Sequence, residues 1–288
     1  MNMNWLDGFN KVIEYIENQL QGEIDYEKIA SIFGYSVYHV QRVFAMVAGV
    51  PLSEYIRNRR LSVAAMELQD KEHKVIDIAL KYGYSSPNSF NRAFKAFHGI
   101  APSDVKKDGV IIKAYPPLHF ELTVKGAQTM EYRIMKRKEF RIVGIRLHTT
   151  MENGECYQKT PVFWSDLFKT GGQNRILDLM NKEPYGLLGV SNYSDDFSSG
   201  EFDYYIACSS DKPIPVGMTE FTVPEATWAV FSINSINADA VQKLEQNIVM
   251  EWLPTSGFEF AKAPDIEVYD EKGSTEIWIP VIKKLGTI

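Results

Sequence analysis

Polar side chains that suit base recognition in DNA occur in two similar segments, GYSVYHVQRVF at 34–44 and GYSSPNSFNRAF at 83–94. On a helix, the 3.6-residue period turns the apolar positions of each segment to one side and the polar positions to the other. The amide and guanidinium groups of Gln, Asn and Arg match the donors and acceptors of base edges in the major groove. The candidate base-contacting residues are Tyr38, Gln41, Arg42, Asn88, Asn91 and Arg92.

The two segments belong to one unit that occurs twice. The residues that recur at a constant offset are Ile29, Ala30 and Gly34 in the first copy and Ile78, Ala79 and Gly83 in the second. Each copy predicts a short helix, a glycine-containing turn and a second helix, which is the helix-turn-helix arrangement. A solvated helix face would explain the polar residues of one copy, but their correspondence in two copies favours DNA recognition.

One long helix is predicted between the copies, over PLSEYIRNRRLSVAAMELQ at 51–69. The segment begins at a proline, has few helix breakers and carries an apolar stripe. A rod of this kind would hold two recognition helices in successive major grooves, roughly 34 Å apart. The candidate phosphate-contacting residues are Arg57, Arg59, Arg60 and Lys95.

The charge distribution supports DNA as a partner. The chain of 288 residues carries a net charge of −6, which by itself argues against binding to nucleic acid. Between residues 36 and 107, however, eleven basic residues outnumber six acidic ones and leave +5. A local basic surface is what phosphate binding requires, so we expect double-stranded DNA to bind here.

Composition and residue spacing exclude several other classes of protein. With 45% apolar and 24% charged residues, the chain fits a folded protein of two domains. It shows no leader peptide and no apolar run of membrane-spanning length, so we expect a cytoplasmic protein with no membrane partner. Cys156 and Cys208 form no metal or disulfide pattern and are interpreted as packing residues. The five histidines show no metal-ligand spacing either, and we expect no metal and no cofactor.

The pattern changes in the second half of the chain. Pro116 and Pro117 interrupt the helical period, so we place a linker at 108–128 between a helical domain at 1–107 and a second domain at 129–288, with a strand beginning over 120–124. The second domain alternates strands with two longer helices, over 159–172 and 238–254. A strand, a helix and paired strands occur twice, which predicts an α+β domain of two pseudo-symmetric halves.

The last two predicted strands, DIEVY at 265–269 and TEIWIPV at 275–281, carry acidic and aromatic residues. Alternation places Glu267 with Tyr269 and Glu276 with Trp278, and we expect these pairs to line up on one face. Such a surface suits a cationic or partly apolar ligand. An antiparallel sheet with one face in solvent would carry the same residues, so the strands alone leave both interpretations open.

Residues 8–107 resemble the DNA-binding domain of the AraC/XylS family. The matching elements are IASIFGYSVYHVQRVF, YIRNRRLSVAAMEL and IALKYGYSSPNSFNRAFKAFHGIAPSDVKK. The resemblance implies a bacterial transcription regulator with two helix-turn-helix motifs, in which the six residues named first contact bases. It also makes RNA polymerase a candidate partner.

Residues from about 129 to 285 resemble the GyrI-like effector-binding domain of Rob-like and multidrug-sensing regulators. The resemblance rests on PPLHFELTVKG, MEYRI, PEATWAVF, EWLPTSGFEFAKAPDIEVY and TEIWIPV. It implies that Glu267 approaches a small effector in an aromatic-lined cleft between the two halves. Further candidate ligand-binding residues are Tyr269, Glu276, Trp278, Trp252, Trp164, Tyr193 and Tyr205, of which the last four fit core positions as well.

Three functions are compatible with these patterns. The favoured one is a sequence-specific transcription regulator, not an enzyme, whose second domain binds a small cationic or amphipathic effector. The second is a hydrolase, because some GyrI-like proteins hydrolyse small electrophilic compounds and Glu267 could act as a general base on water. The third is a DNA-binding module with no ligand response.

Overall fold

The computed structural model describes residues 5–70, 72–120, 129–193 and 200–284. Contacts within the chain divide it into two compact units, Met1–Val37 with Leu52–Lys125 and Tyr38–Pro51 with Gly126–Ile288. The short segment Tyr38–Pro51 therefore groups with the second half of the chain, although it lies within the first hundred residues. The domain limits predicted at residues 107 and 129 stay predictions.

The first unit is helical in the part of the chain that is described. Its helices are α1 (Trp5–Asn18), α2 (Tyr26–Phe33), α4 (Leu52–Leu68), α5 (Val75–Lys81) and α6 (Pro87–His98). Helix α3 (Val37–Ala48) lies between α2 and α4 in the sequence, but all of it except its first residue belongs to the second unit.

Local sequence explains where these helices begin and end. The Asp25 carboxylate caps α2 by accepting hydrogen bonds from two backbone N–H groups at 2.9 and 3.1 Å, and Ser86 caps α6 in a similar way. Gly34 ends α2 with a φ of 66°, and Gly83 follows α5 with a φ of 81°. Glycine adopts this conformation with little strain, so the recurring Gly-Tyr-Ser marks the end of the first helix in each copy.

The second helix-turn-helix unit packs as its apolar pattern predicts. Ile78 and Ala79 of α5 are buried, and so are Phe90 and Phe94 of α6, while Phe97 is half-buried. Small Ala79 allows α5 and α6 to approach closely. The polar side of α6 is consequently directed to solvent.

The linker is bound to the first unit over its described part. Residues 108–120 form neither helix nor strand, and the Tyr115 N–H donates to the Ser62 hydroxyl at 2.9 Å. Further along, the Leu118 N–H donates to the Tyr55 hydroxyl at 3.3 Å. Residues 121–128, with most of the strand predicted over 120–124, lie outside the described residues.

An ion pair joins α4 to α1. The buried guanidinium of Arg59 donates to Glu17 at 2.8 Å from Nε and 2.6 Å from Nη2, and Nη1 donates to the Tyr115 carbonyl. Glu17 is thus the anionic partner of a cation that has little access to water. The pair ties together the first helix, the long helix and the linker.

We expect Glu17→Gln to lower the free energy of unfolding by about 1–3 kcal/mol, because the buried Arg59 loses its anionic partner. Glu14→Gln is the matched control, since Glu14 is exposed on the same helix. Urea unfolding followed by circular dichroism measures both variants. Equal stability of the two would show that the ion pair does not stabilise the unit.

The second unit contains an antiparallel sheet. Its described strands are β1 (Tyr132–Arg137), β2 (Phe140–Thr150), β3 (Leu187–Tyr193), β4 (Glu201–Ser209), β5 (Thr219–Val223), β6 (Ala226–Ile233), β7 (Phe258–Phe260), β8 (Asp265–Tyr269) and β9 (Thr275–Lys283). They follow the order β1-β6-β9-β8-β3-β4-β2-β5, and β7 pairs with β9.

The strand order shows the predicted twofold repetition. One half consists of β2, helix α7 (Glu155–Lys169), β3 and β4, and the other of β6, helix α9 (Ala238–Asn247), β8 and β9. In the sheet, β3-β4-β2 mirrors β8-β9-β6, so the pseudo-twofold axis passes between β3 and β8. The flanking strands are exchanged, because β1 pairs with β6 and β5 pairs with β2.

The two faces of the sheet have different roles. Leu188, Val190, Ile266 and Trp228 belong to a buried apolar cluster on one face. Side chains alternate along a strand, so Gly189, Glu267 and Tyr204 lie on the opposite face. That second face carries the candidate effector-binding site around Glu267, which is described below.

Helix limits in this unit differ slightly from the predicted ones. Helix α7 begins four residues before the predicted start, so Pro161 lies inside it, and the short helix α8 (Gly172–Leu177) follows. The helix predicted over 238–254 ends at Asn247 and continues as a π-helical turn over Ile248–Trp252. None of the helices in the described ranges is long and apolar enough to cross a membrane.

Candidate effector-binding cleft and DNA-recognition helices

Glu267 lies at the seam between the two halves of the sheet. In the strand register it is opposite Gly189 of β3 on one side and Ile277 of β9 on the other. The residue is partly exposed, although β8 is a central strand. Glu267 therefore keeps part of its surface in contact with solvent.

Three aromatic side chains surround this carboxylate. The hydroxyls of Tyr204 and Tyr269 donate hydrogen bonds to Glu267 Oε2 at 3.1 and 3.0 Å. From α7, the Trp164 indole N–H donates to the Tyr204 hydroxyl at 2.9 Å, and its ring meets that of Tyr269 edge-on at 5.4 Å. Phe168 stacks on Trp164 at 5.9 Å and is 53% exposed. An aromatic wall thus runs from Glu267 to the surface.

Gly189 provides the space for this arrangement. A Cβ atom at position 189 would lie 2.4 Å from Glu267 Oε2 and 2.5 Å from the Tyr204 hydroxyl oxygen. Both distances are far below van der Waals contact. The absence of a side chain at Gly189 is therefore a condition for the cleft.

Two further carboxylates, Glu245 of α9 and Asp265 of β8, lie near Glu267. Burial raises the pKa of Glu267, although hydrogen bonds from its two tyrosine partners oppose the rise. Burial also raises the pKa of Glu245 far above its usual range, and the Glu267 charge adds to the effect. Burial raises the pKa of Asp265 as well, against the opposing charge of Arg42. Ionisation of the three groups is therefore disfavoured, and a bound cation would favour it.

Arg42 of α3 lies at the Asp265 end of the carboxylate cluster. Its guanidinium is fully buried, and Nη2 donates to Asp265 Oδ2. The same group lies 3.7 Å from the centroid of the Phe260 ring and 4.8 Å from that of Tyr193. Burial alone would lower the pKa of Arg42, but the Asp265 carboxylate raises it above the ordinary arginine range. Arg42 is therefore a permanent cation within the second unit.

His39 precedes Arg42 on α3 and is also buried. Its Nδ1 accepts a hydrogen bond from the Phe260 N–H at 2.9 Å. Burial, together with the positive charges of Arg42 and Lys284, lowers the pKa of His39 to about 3. His39 is thus neutral near pH 7 and acts as an acceptor that positions α3 on β7.

The first recognition helix does not present its predicted base-contacting face to solvent. Tyr38, Gln41 and Arg42 are 7%, 6% and 0% exposed. The expectation that these three residues are open to base edges does not hold in this structure, because α3 packs within the second unit and Arg42 is paired with Asp265.

The second recognition helix has the predicted exposure. On α6, Asn88 and Arg92 are exposed and Asn91 is half-buried. Lys95, the candidate phosphate contact on this helix, is exposed too. Base and phosphate contacts by these four residues stay predictions.

The arginines of α4 divide into two groups. Arg57 is partly exposed, with Nη2 3.9 Å from Glu54, and stays a candidate phosphate contact. Arg59 does not fit that role, because it is buried in its ion pair with Glu17. Arg60 does not fit it either, because its Nε donates to the Leu20 carbonyl at 2.9 Å and Nη2 to that of Gly22. Both arginines stabilise the helical unit.

The register of β8 and β9 corrects the predicted alignment of acidic and aromatic residues. Ile266 is opposite Trp278, and Val268 is opposite Glu276. Glu276 and Trp278 therefore lie on the face of the sheet that is opposite Glu267. Trp278 is buried there, and Glu276 accepts hydrogen bonds from its indole at 2.9 Å and from Arg133 at 2.8 Å. Neither Glu276 nor Trp278 faces the cleft.

The remaining predicted ligand-binding residues lie partly at the Glu267 site and partly elsewhere in the domain. Tyr269 and Trp164 contact the Glu267 site directly, as described above. Tyr193 lies beside Arg42 at the end of the carboxylate cluster. Tyr205 belongs to the apolar core on the other face, and Trp252 is buried against the rings of Tyr132 and Phe231 at 5.0 Å each.

Sequence reasoning missed four residues of the site, namely Tyr204, Glu245, Asp265 and Gly189. The adjacent tyrosines of FDYYIACSS must point to opposite faces, but only the register shows that Tyr204 and not Tyr205 meets Glu267. Asp265 shares a face with Glu267 by strand alternation, which was the available signal. Its partner Arg42 is 223 residues away, and no local pattern links the two.

Metal binding has no support in the described ranges. They contain no group of three or more His, Cys, Asp or Glu side chains that could hold a metal ion. Cys156 and Cys208 are both buried and not disulfide-bonded. The groups around Glu267 are carboxylates, phenols and an indole.

Comparison with known proteins matches each half of the chain to a family. Residues 133–281 match the model of the integron-associated effector binding protein family, and residues 29–108 match a helix-turn-helix domain. The chain belongs to the AraC-type regulators that carry an effector-binding domain. The regulator is thus a DNA-binding transcription factor, and its fold class agrees with the one predicted.

Named relatives share the DNA-binding part. The transcriptional activator AarP of Providencia stuartii is 47% identical over 94 residues, which cover 33% of this chain and 70% of AarP. The probable transcription factor PqrA of Proteus vulgaris is 40% identical over 104 residues, covering 35% of this chain and 85% of PqrA. Such relatives are regulators of transcription.

The effector-binding half also aligns with part of a solved structure. SAV2435, solved with tetraphenylphosphonium bound, aligns with a TM-score of 0.47 and 23% identity over 53% of this chain and 94% of its own.

We expect Gly189→Ala to abolish ligand binding in the cleft, because the added methyl group displaces the Glu267 carboxylate or the Tyr204 hydroxyl. Gly22→Ala is the control, since its Cβ would approach no atom closer than 3.4 Å. Calorimetric titration with an aromatic quaternary ammonium ion and a thermal melt measure binding and folding separately. Undiminished binding by Gly189→Ala would contradict the described geometry.

Proposed function

We propose that the regulator binds an organic cation in the cleft and responds to it by a change in DNA binding. The observation that carries this proposal is the position of Glu267, a partly exposed carboxylate at the seam of the two halves with phenol and indole groups around it. Ion pairing and the faces of aromatic rings together attract organic cations. Neither feature alone would define a ligand class.

The electrostatics of the cleft support a cation over other ligands. Glu245, Asp265 and Glu267 form one poorly solvated acidic cluster, and Arg42 opposes the charge at one end of it. An anion would meet repulsion from any ionised member of the cluster, and a neutral molecule would give Glu267 no cationic partner. The exposed Phe168 and the ring of Trp164 offer apolar contact for the body of the ligand.

The proposal of DNA contact has its best support on α6. Asn88, Asn91 and Arg92 have the amide and guanidinium groups that recognise base edges, and Lys95 would contact a phosphate. Contact with RNA polymerase is part of the same proposal, and relatives described as transcriptional activators support it. The regulator would then act on transcription and not as an enzyme.

Glu267→Gln should lower the affinity for benzyltriethylammonium roughly tenfold or more, because the variant keeps the shape of the side chain but not its charge, and about 1.4 kcal/mol corresponds to tenfold. The melting temperature should not fall, since an ionised buried carboxylate is costly in the apo protein. Isothermal titration calorimetry and a thermal melt check both statements.

The same titration has a pH dependence of known sign. The raised pKa values of Glu267 and Glu245 mean that their protonation begins above the usual glutamate range of about 4.3. Affinity for a permanent cation should therefore fall as pH is lowered from 8 to 5, and less so in Glu267→Gln. Glu276→Gln on the opposite face is the control. Unchanged affinity in Glu267→Gln would refute the proposed site. Hydrolysis of a small electrophilic compound by the wild type but not by Glu267→Gln would support the hydrolase alternative.

Arg92→Ala should cost about 1–3 kcal/mol on a duplex obtained by in vitro selection and little on random DNA, if Arg92 recognises a base. Lys95→Ala is the comparison, because loss of a phosphate contact weakens binding to both duplexes similarly. Fluorescence anisotropy at one fixed salt concentration measures all four affinities. Equal losses on both duplexes for Arg92→Ala would reject base recognition by this residue.

A further inference from the structure

We propose that Asp265 holds the first recognition helix in an inactive position through Arg42, and that a cation bound at Glu267 weakens this hold. The inference rests on the proposed function of the cleft and adds a mechanism of regulation to it. Its starting observation is that α3, which carries three of the six predicted base-contacting residues, groups with the effector-binding unit.

Arg42 is bound by the same chemistry that would bind an effector. Its guanidinium meets the Asp265 carboxylate and lies against the rings of Phe260 and Tyr193. Glu267 occupies the next position on the same face of β8, and it too is a carboxylate flanked by aromatic rings. The side chain of Arg42 thus acts as an internal organic cation at one end of the acidic cluster.

The ion pair is not built for maximum stability. The Nε and Nη1 groups of Arg42 are buried and make no hydrogen bond with any described residue. A buried pair stabilises a fold well only when its remaining donors and acceptors are satisfied. The desolvation cost of the unused donors offsets part of the attraction between Arg42 and Asp265.

The same face of β8 couples the two cations. Asp265 and Glu267 are two residues apart, and the Asp265 charge adds to the burial that raises the pKa of Glu267. A cation at Glu267 would attract the Asp265 carboxylate and repel Arg42, since like charges in a poorly solvated site repel strongly. By thermodynamic linkage, ligand and Arg42 then bind the cluster with negative coupling.

The consequence for DNA is direct. While Arg42 is buried, α3 cannot place Tyr38, Gln41 or Arg42 in a major groove, and only α6 presents its polar face. Release of α3 would make the first recognition helix available in addition to α6. The effector should accordingly increase DNA affinity.

The test measures the affinity of the full-length protein for a duplex selected in the presence of benzyltriethylammonium. In the wild type, the cation should raise this affinity by roughly 5- to 150-fold, the usual range of allosteric coupling. Asp265→Asn should show the raised affinity without the cation and lose most of the response. Glu267→Gln should keep the low affinity with and without it. Asp239→Asn, at an exposed position of α9, is the control.

Amide hydrogen exchange of residues 38–48 is a second measurement, which distinguishes local release of α3 from a general loss of stability in Asp265→Asn. These amides should exchange faster in Asp265→Asn and in wild type with the cation, while those of β3 and β4 stay protected. Unchanged exchange and wild-type DNA affinity in folded Asp265→Asn would overturn the inference. Failure of the wild type to bind the cation would instead reject the proposed function, and the comparison of Asp265→Asn with wild type would still test the hold on Arg42.

Discussion

The close approach of β3 and β8 at Gly189 and Glu267 is the constraint on which the cleft depends. The pseudo-twofold axis passes between these strands, so groups from both halves converge there. Because position 189 has no side chain, the Glu267 carboxylate and the Tyr204 hydroxyl occupy the space above it. The indole of Trp164 then fixes the Tyr204 hydroxyl from the other side. Repetition of a simple strand and helix unit thus produces a site that neither half contains alone.

The acidic cluster connects this site to α3, which lies more than two hundred residues earlier in the chain. Three carboxylates in a poorly solvated place need protons or a cation, and Arg42 supplies one cation from α3. The charge balance of the acidic cluster therefore depends on the position of α3. The second recognition helix is independent of it, since α6 packs against α5 through its own apolar face.

Much of the architecture followed from local patterns. The repeated glycines, the caps and the apolar period of α6 indicated two helix-turn-helix units, and alternation with two helices indicated an α+β domain of two halves. Residue contacts were less accessible. Glu276 and Trp278 were assigned to the wrong face relative to Glu267, because alternation within a strand does not fix its register with a neighbour. The prediction of a phosphate contact for Arg59 does not fit the structure, because Arg59 pairs with Glu17. Glu17 lies on another helix, so the local sequence pattern around Arg59 does not show this pair.

The sequence by itself determined the types of the elements and their order, because helix period, strand alternation and turn residues act over a few positions. The resemblance to GyrI-like domains implied Glu267 as a candidate ligand-binding residue. Only the tertiary structure decided which tyrosine meets Glu267, that Gly189 must lack a side chain, and that Arg42 is buried against Asp265. These depend on register and packing between segments far apart in the chain, where a shift of one residue exchanges the two faces of a strand. The same polar face that suits DNA on an isolated helix also suits a buried carboxylate, and the fold selects between them.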